Sequence, residues 1–240
     1  MKYSVLTSSN SNNPSFFKKY VKSINEQIIL PNEIIFINNR SKFSYVYEFL
    51  VKNLNQKIKL KFINYNFSRN VSYPLNYGLK YINNSLVFRL DIDDQWLKFH
   101  SKIMINECQK NKNTLILSNN FKSANFQGIA DINLITGNPT LHSSWLINLN
   151  NCRRFKYENL YPEDYSTLSK YYRLGYKFKL IKEKTINYYK NIKGLGASKF
   201  GNVHTKQIKK KNLNYYLKKK NYFNLIKDHS FFALMKILLK

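Results

Sequence analysis

Between residues 3 and 90 the chain alternates apolar β-type runs with helix-period runs, and this alternation restricts the possible folds more than any other feature. The β-type runs are YSVLT (3–7), EIIFI (33–37), KIKLKFI (57–63) and LVFRL (86–90). Helical patterns over 15–27, 43–54 and 72–83 separate them. The first carries Phe16, Phe17, Tyr20, Val21, Ile24 and Ile28 on one face, behind Pro14, which suits a first helical turn. Pro31 ends it, and in the third pattern Pro74 has to fall in the first turn. Strand and helix in strict turn predict an α/β fold: a Rossmann-like, mostly parallel sheet with helices on both faces. Ligands of such sheets sit outside the carboxyl ends of the strands. Here that edge holds the turns 8–13, 38–41 and 91–95.

The last of these turns carries Asp91, Asp93 and Asp94, three carboxylates in four positions of a chain with only 13 acids. Like charges so close raise one another's pKa unless something positive lies between them. Two readings fit the trio. It is a solvated turn, with Asp91 or Asp94 capping a helix that begins near Trp96. Or it is a metal–phosphate site, for which hard oxygen ligands suit Mn2+ or Mg2+. Its place at the ligand edge of the sheet favours the second.

Further on, the pattern predicts a helix over 97–111, a strand over 114–119, and a hairpin or irregular strand pair over 125–136. HSSWLI (142–147) reads as a strand end, 163–175 as an amphipathic helix stopped by Gly175, and 176–181 and 184–189 as late strands. KGLGASKFG (193–201) is a glycine-bearing loop suited to a lid. The stretch from 203 to 240 differs: it has KKK at 209–211 and 218–220, a single acid, Asp228, and then FFALMKILL at 231–239. A basic segment running into an amphipathic apolar one suits an anionic membrane surface, or a helix that packs back on the domain.

The formal charge of +27 invites a nucleic-acid partner. Lysine far exceeds arginine, however, and Asn, Ile, Tyr and Phe are abundant too, which is how A/T-rich coding shapes any protein. The lysines are also spread along the chain, so no nucleic acid is expected. Cys108 and Cys152 form neither a disulfide framework nor a metal spacing and read as free thiols of a reducing cytoplasm. No apolar run reaches the ~18 residues of a membrane span, and MKYSVLTSSN reads as a first strand rather than a leader.

Glu163 and Asp164 are the other adjacent acids, and taken alone they are first-turn residues favourable to a helix dipole. With their neighbours they complete an ordered set of motifs. SVLTSSN (4–10), SINEQIILPNEIIFINNRS (23–41), NVSYPLNYGLKYINNSLVFRLDIDD (70–94), GNPTLHSSWLI (137–147), PEDYSTLSKYYRLGYKF (162–178) and INYYKNIKGLGAS (186–198) together resemble glycosyltransferase family 2. The third of these is similar to the subgroup that builds bacterial surface polysaccharides.

The resemblance implies an inverting enzyme of the GT-A fold that uses a nucleotide-diphosphate sugar donor, with Mn2+ or Mg2+ as cofactor. Its acceptor would be a glycan or lipid-linked saccharide. By position, Thr7, Asn10 and Asn39 would line the nucleotide pocket. Asp93 would be the principal metal ligand, Asp91 would lie near ribose and metal, and Asp94 would support them. Asp164 would be the general base, with Glu163 second, and His142 would lie close to donor and acceptor. Lys190 would stand in for an Arg that helps the diphosphate leave. The family pattern is broken at Asn38, Pro74, Ser169 and Lys190, and at none of the acids. The implied layout is a catalytic domain over 1–202 and a basic, partly amphipathic helical extension over 203–240. The expected location is the cytoplasm, at the inner face of the membrane, with peripheral contact to anionic lipid. A non-catalytic polyanion- or membrane-surface-binding protein on the same fold is the alternative. A sugar-nucleotide pyrophosphorylase is not supported, since SSNSNN lacks the glycine and lysine of a phosphate loop.

Overall fold

The computed structural model describes residues 1–11, 13–39, 45–66, 71–119, 134–135, 137–189 and 199–219. Its first half follows the predicted alternation: β1 (Ser4–Ser9), α1 (Pro14–Asn25), β2 (Glu33–Asn39), α2 (Val46–Asn53), β3 (Lys59–Tyr65), α3 (Ser72–Leu79) and β4 (Leu86–Arg89). Helix α1 begins as the sequence indicates. Asn13 accepts a hydrogen bond from the Ser15 backbone N–H at 3.0 Å, Pro14 opens the first turn, and Phe17, Tyr20, Val21 and Ile24 are buried.

The sheet has seven strands in the order β3-β2-β1-β4-β7-β6-β8. β7 (Leu146–Asn148) runs antiparallel to both β4 and β6 (Thr114–Asn119), while β8 (Lys177–Ile181) is parallel to β6. Consecutive side chains point to opposite faces, and both faces are covered. Val5, Ile34, Phe36 and Phe88 join one core with Phe17, Tyr20 and Ile24 of α1. Leu6, Ile35, Ile37 and Val87 join the other, with Leu75 of α3. A strand covered on both faces has no polar side, so all seven residues of β2 are buried. Helix α3 lies so close to β1 and β2 that a Cβ on Gly78 would stand 2.6 Å from Leu6 Cδ1.

Several boundaries differ from the pattern, each for a local reason. α3 stops at Leu79 rather than 83 because the next residues turn off to serve Glu33: the Asn83 backbone N–H and side-chain amide donate to its carboxylate at 2.8 and 2.7 Å. α4 (His100–Lys110) starts three residues late because the Leu97 N–H is already given to Thr185 O. That bond extends a small antiparallel ribbon of β5 (Gln95–Trp96) with β9 (Ile186–Asn187). The segment 184–189 therefore leaves the main sheet and lies beside the acidic turn. Of the strand pair expected over 125–136, only Leu134 and Ile135 are described, and these are helical and buried. The loop over 193–201 lies outside the described residues apart from its last three positions, which are helical.

Helix α5 (Glu163–Arg173) ends at Gly175, whose φ of +85° closes a turn with the Tyr176 N–H on Tyr171 O at 3.0 Å. Helix α6 (Lys199–Lys219) spans the 202/203 boundary and packs on α5. Asn212 at the contact accepts from Arg173 at 2.6 Å and donates to Ser169 Oγ and Leu134 O, each at 2.9 Å. Ile208 and Tyr216, one turn to either side, are buried as well. The apolar 231–239 stretch lies outside the described residues.

Candidate active site

The chain leaves β1 toward β2 on one side and returns to β4 on the other, so the sheet has its topological switch between β1 and β4. Beyond the end of β4 comes the acidic turn, and directly below it lies Arg89, fully buried. Its guanidinium donates to Leu6 O at 3.2 Å, to Leu90 O, and to Asp91, with which it forms an ion pair. Burial pulls the Arg89 pKa down, but Asp91, Tyr157 and Glu163 outweigh it and the net shift is upward. On Asp91 burial pushes up, while Arg89 and the Ser143 hydroxyl hold the carboxyl below its usual range.

The three acids therefore do different things. Asp94 is buried, with one oxygen against Ser143 Oγ and the other accepting from the Tyr189 N–H at 2.8 Å. Burial, with Asp91 adding to it, pushes its carboxyl up to about 7. It ties the turn to the segment after β9. Asp93 is half-buried, and burial and Asp91 push it up to about 6. No side chain among the described residues pairs with its oxygens. Among the described residues no three His, Cys, Asp or Glu side chains are grouped to hold a metal. What remains fits a divalent cation shared with a ligand: one hard, uncommitted carboxylate, short of positive charge, at the ligand edge. Nor does either acid cap α4, whose N-terminal neighbour is Phe99.

Ser143 joins this turn to a 3₁₀ turn, His142–Ser144. Its Oγ accepts the Asp91 N–H at 3.1 Å and lies 2.8 Å from Asp91 Oδ2, and its carbonyl accepts from Trp96 Nε1 at 2.7 Å. His142 then stands between the two acidic patches, its Nδ1 4.0 Å from Asp91 Oδ2 and 3.7 Å from Glu163 Oε1. Burial and the nearby Arg89 push its pKa down to about 3, so the ring is neutral.

Glu163 and Asp164 open α5. Both carboxyls are pushed up, chiefly by burial, with Asp164 adding to the effect on Glu163 and Asp91 to that on Asp164. Asp164 accepts from Asn138 Nδ2 and from the Tyr165 N–H, each at 2.7 Å.

The residues assigned to the nucleotide are more scattered in role. Thr7 is fully buried, and its hydroxyl pairs with Tyr20 at 2.8 Å and Leu90 O at 3.0 Å. Its side chain braces β1 against α1 and β4. Asn10 is exposed just past β1, Asn39 is the buried last residue of β2, and Lys190 lies outside the described residues. Arg89, Ser143, Tyr157 and Asn138 were not singled out in the sequence. Of these only Arg89 carried a signal, as the lone charge in an otherwise apolar strand.

Fold and site together define an α/β protein of the GT-A type, with two acidic patches at the switch-point edge of its sheet. Residues 6–183 match the profile of "Glycosyl transferase family 2", and the chain belongs to that family. No curated protein matches it. Solved structures with the same fold include TarS 1-349 of S. aureus in complex with UDP-GlcNAc. The TM-score is 0.64 at 18% identity, over 91% of this chain and 73% of that one. The mannosyltransferase PcManGT of Pyrobaculum calidifontis, in complex with GDP-Man and Mn2+, gives a TM-score of 0.67 at 13% identity, over 92% and 65%.

Proposed function

We propose that this family 2 protein is an inverting, metal-assisted transferase. It moves a sugar from a nucleotide-diphosphate donor to a hydroxyl of a glycan or lipid-linked acceptor in surface polysaccharide synthesis. The observation that carries this reading is the meeting of the two acidic patches across a neutral His142, 3.7 Å from Glu163 and 4.0 Å from Asp91. One patch serves the leaving group and the other the nucleophile. Asp93 would hold Mn2+ or Mg2+ together with the diphosphate; bound there, the cation supplies Lewis-acid relief of charge on the departing nucleotide. Asp91 is fixed by Arg89 and Ser143 as a rigid neighbour of that site, facing ribose. Asn10 and Asn39 border the nucleotide, and Lys190 pairs with its phosphates.

On the other side Asp164 takes the proton of the acceptor hydroxyl as that oxygen bonds to the anomeric carbon. The carbon–phosphate-oxygen bond breaks with its electron pair leaving on the diphosphate, and the configuration inverts. With its pKa pushed down to about 3, His142 neither carries a proton to give a leaving group nor competes for the acceptor's proton. It spaces and orients the two patches.

The α6 helix supports contact with an anionic membrane. Residues 199–219 contain no acid, and Lys206, Lys210, Lys211 and Lys218 are exposed away from the stripe packed on α5. Such a face is drawn to acidic lipid. Among the described residues no helix is long and apolar enough to cross a membrane.

The test is thermal stability of the protein with UDP, GDP and other nucleoside diphosphates, with and without Mn2+. A metal-dependent rise with one nucleotide, lost in Asp93→Ala, is expected. No rise with any of them would overturn the donor site and favour the polyanion-binding alternative. Sedimentation with acidic vesicles, compared for wild type and a Lys206→Gln/Lys210→Gln/Lys211→Gln/Lys218→Gln variant, tests the helix. Equal binding would remove it from the proposal.

A further inference from the structure

The loop entering the site ahead of His142 holds a chain of hydrogen bonds that can run in one direction only. Trp145, fully buried, gives its indole N–H to Thr140 Oγ1 at 3.0 Å. An indole nitrogen only donates, so Thr140 must accept there and send its own proton elsewhere. That proton goes to Asn138 Oδ1 at 2.7 Å, and the Thr140 backbone N–H reaches the same oxygen at 3.0 Å. Two donors on one atom identify it as the carbonyl oxygen and prevent the amide from flipping. Asn138 Nδ2 is left to donate to Asp164 Oδ2 at 2.7 Å. A reversed amide would set one acceptor against another.

The chain separates two adjacent acids. Asp164 receives the Asn138 amide on one oxygen and the Tyr165 N–H on the other. The Asp164 backbone N–H also acts on the carboxylate, and since a carboxylate offers about four acceptor positions, one stays free for an incoming hydroxyl. Glu163 instead faces the neutral His142 ring at 3.7 Å. Among the described residues, the charged and titratable groups around Asp164 are Glu163 on its own helix, Asp91 from the acidic turn, Tyr157 and Tyr161 from the preceding loop, and Tyr188 after β9. None is a cation. The positive field of Arg89 is felt at Glu163, Tyr157 and Asp91. Amide donors therefore have to do for Asp164 what Arg89 does for Asp91.

We propose that Asn138 is a positioning residue, held by Trp145 and Thr140, that keeps the Asp164 carboxylate charged and in one orientation for proton removal. This rests on the reading of Asp164 as the base.

The test needs no ligand. In full-length protein carrying carbon-13-labelled aspartate, the Asp164 carboxyl resonance is assigned by its loss in Asp164→Asn and followed against pH. Removing a donor to the charged form shifts the equilibrium toward the proton. Asn138→Ala is expected to move the Asp164 midpoint up by about one pH unit. Thr140→Val, which frees the amide to turn, moves it the same way, and Thr140→Ser restores it. A merely structural loop would lower the melting temperature without moving that midpoint. An unchanged midpoint in Asn138→Ala, or an equal rise in Thr140→Ser and Thr140→Val, overturns the proposal. The base reading fails separately, if Asp164→Asn leaves transfer from UDP-GlcNAc or GDP-mannose at the wild-type rate.

Discussion

The two acidic patches solve the same electrostatic problem in different ways. In the turn after β4 one carboxylate, Asp91, has a resident cation in buried Arg89, while Asp94 is tied to Ser143 and the Tyr189 N–H. Among the described residues no other side chain pairs with Asp93. At the start of α5 Arg89 acts on Glu163 only from a distance, and among the described residues Asp164 has backbone and amide donors and the helix N-terminus instead of a cation. The first patch is thus rigid and ready to accept positive charge from outside. The second is short of charge compensation and ready to accept a proton. The same residue type is held charged in Asp91 and pushed toward its proton in Glu163 and Asp164 because its neighbours differ.

The comparison breaks most visibly on turnover. Asp164→Asn is expected to cut transfer by about 10²–10⁴-fold while nucleoside diphosphate binding survives, with Glu163→Gln milder. If Glu163→Gln proves the more severe in steady-state assays, the base is misassigned. Asp93→Ala should abolish the Mn2+-dependent part of nucleotide binding by calorimetry with little change in unfolding midpoint.

A second group of effects falls on stability. Arg89→Met strands Asp91 and should cost about 3 kcal/mol in urea unfolding, somewhat less than for a fully sealed pair because Asp91 is partly exposed. Adding Asp91→Asn should recover part of that. If the double variant is no better than the single one, Arg89 is not the counter-charge of Asp91.

Asp94 gives the pH-dependent case. Its folded pKa is about 7 against an ordinary 3.8, so its contribution is fully present below pH 4 and is lost as pH rises through about 7. Asp94→Asn should therefore equal wild type near pH 4.5 and be the more stable above pH 7, judged by melting temperature across that range. A variant less stable at pH 8 would show that ionised Asp94 is needed there. The smallest effect is expected far from both patches: Asn212→Ala removes the bonds joining α6 to α5 and should cost about 1–2 kcal/mol without altering turnover.

Much of the parallel half of the sheet was legible because β1, β2 and β4 are buried on both faces and read as continuous apolar runs between helix patterns. β7 was harder to read. It is three residues long, reversed, and preceded by a 3₁₀ turn in which His142 and Ser143 meet the acidic patches while Ser144 bonds to Leu141 O and the Asn119 N–H. The segment 184–189 looked like another sheet strand, yet only two of its residues pair, with β5. A short apolar run carries no information about which partner it will choose. Thr7 was assigned to the nucleotide by position; that its hydroxyl also pairs with Tyr20 and Leu90 O could not be read from the sequence.

Sequence alone was sufficient for the strand–helix order of the first half and for the motifs that mark family 2. Periodicity and local spacing are properties of the chain itself. Only the tertiary structure decided which acids remain available, because a carboxylate's charge depends on groups far along the chain. Ser143 meets Asp91 and Asp94, His142 bridges to Glu163, and Asn138 reaches Asp164 only once β4, β7 and α5 are side by side. Burial and neighbouring dipoles set the pKa values there, and neither exists before the chain is folded.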